Sequence, residues 1–97
     1  MTEAELQDRI LGLAGSLGLL SFHSTDSRRD IGKGFPDLVI VGPRGVLFAE
    51  EKDGGGQLKP DQVTWKYRLL AGGARWVLWR PRDWDTGRIE AELRRIA

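Results

Sequence analysis

The sequence predicts a small α/β sandwich in which helices flank one central mixed sheet, in the order αβββαβα. Two short apolar runs, LVIV from Leu38 to Val41 and VLFA from Val46 to Ala49, enclose the turn signature GPRG and read as a hairpin. A third strand-like run, RWVLWR at 75–80, is separated from that hairpin by a helical stretch opening at Pro60. Apolar residues spaced by three and four then mark a helix near each end of the chain.

At the start, Thr2 followed by Glu5 forms a capping box, and Leu6, Ile10, Leu13 and Leu17 continue as one apolar face. Gly15 and Gly18 end it, so the predicted helix covers about 3–16. Leu19 to His23 reads as a short strand, and 24–34 as a polar loop carrying Arg28, Arg29 and Lys33. After the hairpin comes the triplet Gly54–Gly56, then a helix with Pro60 in its first turn and the stripe Val63, Tyr67 and Leu70, stopped by Gly72 and Gly73. Past the RWVLWR strand, a Pro, Asp and Gly-rich loop leads to a last helix over 88–97, with Ile89, Leu93 and Ile96 facing inward.

Ninety-seven residues, 40% of them hydrophobic and 30% charged, suit one compact domain spanning 1–97. With no cysteine, disulfide frameworks, thiolate metal sites and cysteine nucleophiles are excluded, and a cytoplasmic setting is expected. No apolar stretch approaches the roughly 20 residues that span a bilayer, and MTEAELQDR lacks a signal pattern. A net charge of +1 gives no global pull toward nucleic acid, so any such binding must come from local patches.

The hairpin poses a chemical problem at its open end. With the turn centred on Pro43 and Arg44, Val41 faces Val46, Val39 faces Phe48, and Asp37 falls opposite Glu50 on the same face. Directly opposed side chains have Cβ atoms roughly 4.5–5.5 Å apart, where like charges destabilise. A divalent cation such as Mg²⁺ would compensate, because it takes one or two carboxylates together with water and phosphate oxygens. Alternation puts Lys52 on the face of Glu50 and turns Glu51 away, so EEK acts as E-x-K, with an ammonium placed to stabilise developing negative charge.

GFPDLVIV, LFAEEK and QLKPDQ, followed by a tryptophan and a glycine-rich helix end, resemble the VRR-NUC domain of the PD-(D/E)xK nuclease superfamily over about Thr2 to Trp79. The resemblance implies a restriction-endonuclease-like αβββαβ core with a central mixed sheet flanked by helices. It also implies a metal-dependent endodeoxyribonuclease using Mg²⁺, with Mn²⁺ able to substitute, of the stand-alone phage or bacterial type. It further implies action on DNA, with four-way (Holliday) junctions or other branched forms as substrate, by a homodimer in the bacterial or phage-infected host cell. Two alternatives stand beside it: a nicking or restriction-like nuclease without junction preference, and a non-cleaving DNA-binding module. Carried over by position, Asp37 and Glu50 match the metal-binding acids, Lys52 the catalytic lysine and Gln62 the glutamine of the next helix.

The chain departs from the family pattern at Lys59, where a serine often caps the helix, and at Glu51, where an apolar residue is common. A further acid from the first helix lies between Glu3 and Glu5. Glu3 stands three before Leu6 and seven before Ile10, while Glu5 is used in the capping box, so Glu3 is chosen as a metal or catalytic group. Arg28, Arg29 and Lys33 either grip phosphates or form a solvated loop. His23 is the only histidine, and Trp65, Trp76, Trp79 and Trp84 read as core or dimer interface in preference to base-stacking platforms.

Overall fold

The computed structural model describes residues 1–24 and 32–97. Along the chain run α1 (Glu3–Ser16), β1 (Leu20–His23), β2 (Leu38–Gly42), β3 (Gly45–Glu51), α2 (Pro60–Ala71), β4 (Arg75–Trp79), α3 (Pro81–Asp85) and α4 (Arg88–Ile96). The four strands form one sheet in the order β1-β2-β3-β4. The first two pairings are antiparallel and β3–β4 is parallel, with α2 as the crossover between β3 and β4.

The hairpin register is the one the turn dictates: Val41 pairs with Val46, Val39 with Phe48 and Leu38 with Ala49. Alternation then divides the sheet. One face carries Leu38, Ile40, Leu47 and Ala49, all buried with Leu6, Ile10 and Ala14 of α1, Trp79 of β4 and Ile89, Leu93 and Ile96 of α4. The other face meets α2, where Phe35 stands edge-on to both Phe48 and Trp65. A compact turn end completes the packing. Gly42 lies against the last turn of α4, where a Cβ would run into the Ile96 carbonyl, and that carbonyl accepts from Arg44 N–H at 3.0 Å.

Two expectations change. The segment after β4 is not a plain loop: Pro81 opens the five-residue helix α3, and Asp83 Oδ2 accepts from Arg80 N–H at 2.7 Å to cap it. The α2 stripe Val63–Tyr67–Leu70 is not the buried face, since Tyr67 is 61% and Leu70 44% exposed. The helix turns Trp65 inward, and its Nε1–H donates to the Lys33 carbonyl at 3.0 Å.

Candidate active site

The site lies where β2 begins and β3 ends. Leu38 opposite Ala49 continues by one step to Asp37 opposite Glu50, so both carboxyls share the α2 face of the sheet at the open end of the hairpin. The strands are tied there by Glu51 N–H donating to Asp37 Oδ2 at 2.8 Å. Glu50 is 1% exposed, and its Oε2 is buried with no hydrogen-bond partner. Burial first, then a hydrogen bond and the charge of Asp37, push the Glu50 carboxyl up to about 9, against the opposing pull of Lys52. Unpaired, such a carboxyl holds its proton at neutral pH. A cation would release it.

Lys52 follows β3 on the Glu50 face, half-buried, and its N–H donates to the Trp79 carbonyl at 3.1 Å. The loop behind it is fixed from β4's end: Arg80 Nη1 donates to the Asp53 carbonyl at 2.6 Å and to the Gly54 carbonyl at 3.3 Å. Glu3 is exposed on the first turn of α1. Its carboxyl is raised by partial burial and by the charges of Asp53 and Asp37, offset by Lys52 and a hydrogen bond from the Asp53 backbone. Glu3 therefore borders the site, whereas Glu5 accepts from Thr2 N–H at 3.1 Å and is held below the usual carboxylate range by that cap.

Gln62 works locally. Its Oε1 accepts from Lys59 N–H at 2.8 Å, closing the start of α2 that Lys59 itself cannot cap. Lys33 stands 3.6 Å from Asp61 in an exposed pair. Arg28 and Arg29 lie outside the described residues. Glu51 is 2% exposed on the core face of β3, with an unpartnered Oε2. Burial, then the charges of Asp37, Glu3 and Asp8, raise its carboxyl to about 8. Sequence reading did not find Arg80 or Asp53. Their signal depends on the parallel β3–β4 register, which no local pattern encodes.

Among the described residues, no three His, Cys, Asp or Glu side chains converge closely enough to cage a metal ion alone. The donor set nonetheless fits a hard cation of the Mg²⁺ type: two opposed carboxyls, one with a buried lone oxygen, leave the other positions to water and a phosphate. None of the described helices is long and apolar enough to cross a membrane.

No protein-family model matches the sequence, and no curated protein matches it. Solved structures do. One described as a VRR_NUC domain is 27% identical, with a TM-score of 0.71 over 90% of this chain and 95% of that one. A second, a VRR_NUC domain protein, is 24% identical, with a TM-score of 0.66 over 82% of this chain and 78% of that one. Hjc of Archaeoglobus fulgidus, a Holliday junction resolvase from an archaeal hyperthermophile, is 24% identical, with a TM-score of 0.54 over 78% of this chain and 65% of that one.

Proposed function

We infer from its VRR-NUC-like nuclease fold that this chain is a divalent-metal-dependent endodeoxyribonuclease, one domain over 1–97, whose centre is Asp37, Glu50 and Lys52. The observation that carries the reading is the buried, unpartnered Oε2 of Glu50 set against Asp37 at the open end of the hairpin.

Asp37 and Glu50 would hold the cation, Mg²⁺ with Mn²⁺ able to substitute. Bound there, it supplies Lewis-acid polarisation of the phosphate and lowers the pKa of water. The chain's own groups do the rest. Lys52 places a fixed positive charge beside the phosphate as negative charge develops. Glu3, at the rim, orients water entering from solvent. Water adds to phosphorus and gives up a proton to solvent, the bond to the leaving sugar oxygen breaks, and that oxygen takes a proton from solvent while Lys52 stays charged. Gln62 acts indirectly, by holding the start of α2.

Branched DNA is the preferred substrate, on the likeness to the archaeal junction resolvase, and a homodimer would deliver the paired cuts. Leu20, Phe22, Val41 and Val46 lie exposed on one sheet face and supply an apolar surface for such a contact. The test is incubation of the pure protein with labelled duplex, flap and four-way DNA in Mg²⁺, Mn²⁺ or EDTA. Cleavage confined to the metal-containing arms, strongest on the four-way substrate, is expected. Binding without cleavage in any metal would make the chain a non-cleaving module, and equal cleavage of all shapes would remove the junction preference.

A further inference from the structure

The net charge of +1 conceals one strongly basic groove. The strand β4 is a free sheet edge, and two cavities open along it. The larger, of ≈ 760 Å³, is bounded by Arg44 of the turn, Arg75 and Trp76 of β4, Leu70 of α2 and Arg95 of α4. The smaller, of ≈ 300 Å³, adds Lys66, Arg80, Arg82 and Arg88 and shares Leu70, Trp76 and Val77 with the first. Lining groups come from helices on both sheet faces, so the cavities form one trough straddling the edge.

Seven cations and two carboxylates, Glu92 and Asp83, line it, a local balance of +5 in a chain whose 15 basic and 14 acidic residues nearly cancel. Both acids are committed internally. Glu92 Oε2 accepts from Trp79 Nε1–H at 2.6 Å, Asp83 caps Arg80, and Arg88 bridges the two acids. Among the described residues, Arg44, Lys66, Arg75, Arg82 and Arg95 pair with no carboxylate. The floor adds Trp76, whose indole N–H is buried without an acceptor and whose ring lies 5.0 Å from Lys66 Nζ.

Along β4 the trough runs from Arg75, level with Leu47, to Leu78, level with Glu50, and so ends beside the carboxyl site. Those three strand steps cover roughly 10 Å, about three base pairs of duplex. We propose that the β4-edge groove binds the sugar–phosphate backbone of duplex DNA beyond the phosphodiester held at Asp37 and Glu50, with Arg44, Arg75 and Arg95 gripping phosphates about three base pairs away. The identity of this ligand rests on the nuclease reading; the charge and shape of the groove do not.

The experiment measures duplex DNA affinity in EDTA across a salt series for the parent, for Arg44→Ala/Arg75→Ala/Arg95→Ala and for the same three positions changed to Lys, with melting temperatures alongside. The Ala variant is expected to bind about tenfold or more weakly and to lose about two to three from the slope of log affinity against log salt, while the Lys variant keeps most of that slope. Parent-like affinity and slope in the Ala variant overturn the proposal. So does equal loss in the Ala and Lys variants, which marks a structural role. Because no step depends on cutting, the two readings fail separately. A parent that binds through these arginines but never cleaves in Mg²⁺ or Mn²⁺ sinks the nuclease reading alone, and a cleaving parent with an indifferent Ala variant sinks the groove alone.

Discussion

The backbone N–H of Glu51 donates to Asp37 Oδ2 at 2.8 Å, so one oxygen of the first acid clamps the strand that carries the second. Asp37 thereby fixes where Glu50 points, and alternation leaves Glu50 on the α2 face and Glu51 in the core.

Glu50→Gln and Glu51→Gln are expected to separate. The first removes one of the two acids proposed to hold the metal, with volume preserved, so cleavage in Mg²⁺ should fall by about a thousandfold or more, roughly 4 kcal/mol in transition-state stabilisation. Without metal the Glu50 carboxyl is already neutral, so the amide replaces a neutral acid of the same volume and the EDTA-state melting temperature at neutral pH should not fall. Glu51→Gln should retain at least about a tenth of the activity. A dead Glu51→Gln enzyme beside an active Glu50→Gln one would contradict the assignment of faces.

Stability should depend on pH in an unusual direction. Glu50 is raised to about 9 and Glu51 to about 8, chiefly by burial and then by neighbouring acids, while in the unfolded chain both titrate near the ordinary glutamate value. The folded state thus binds more protons between pH about 4.5 and 9. Stability from these groups is fully present below that window and is lost as pH rises through it. Thermal melts in EDTA should show a higher midpoint at about pH 6 than at about pH 9. Added Mg²⁺ should recover part of the loss at the alkaline end, and Glu51→Met should recover part of it without metal.

Gly42→Ala tests the docking of α4. A methyl there collides with the Ile96 carbonyl, which is backbone and already engaged by Arg44 N–H, so relief requires α4 to move off the sheet. A loss of about 3 kcal/mol in denaturant unfolding is expected. A change under about 0.5 kcal/mol would show that α4 is not seated there.

Trp65→Phe keeps the edge-on contact with Phe35 but removes the donor to the Lys33 carbonyl. The cost should be about 1 kcal/mol. Hydrogen exchange should locate the loosening at 32–36, ahead of Asp37.

Light scattering at micromolar concentration should return a dimer mass, and Phe22→Glu, on the exposed sheet face, should return the monomer. A monomeric parent, alone and with four-way DNA, would remove the paired-cut model.

Much of the site is legible in the sequence because its geometry is local. The GPRG turn fixes the hairpin register, and the register alone places Asp37 opposite Glu50. The fate of Glu51 is not legible, since its burial is decided by α1 lying over β3, a contact between segments far apart in sequence. The α2 stripe misleads for a related reason. Tyr67 and Leu70 have the right spacing for a core face, but Trp65 meets Phe35 and Lys66 lies over Trp76, and these contacts set the helix's rotation. Pro81 and Asp83 carry the signals of α3, but five residues are too few for periodicity to appear.

The support of Lys52 carries a consequence for how the molecule is made. Lys52 N–H rests on the Trp79 carbonyl, the Trp79 indole on Glu92, and the turn of the hairpin on Ile96. Every one of these props for β3 and its hairpin is therefore translated after the strand itself. At roughly 5–20 residues per second, the stretch from Lys52 to Ile96 takes about two to nine seconds to synthesise. Throughout that interval the nascent chain carries the two acids without the backing that holds them. The supported arrangement of these residues therefore arrives only when α4 folds back to meet strands made seconds earlier.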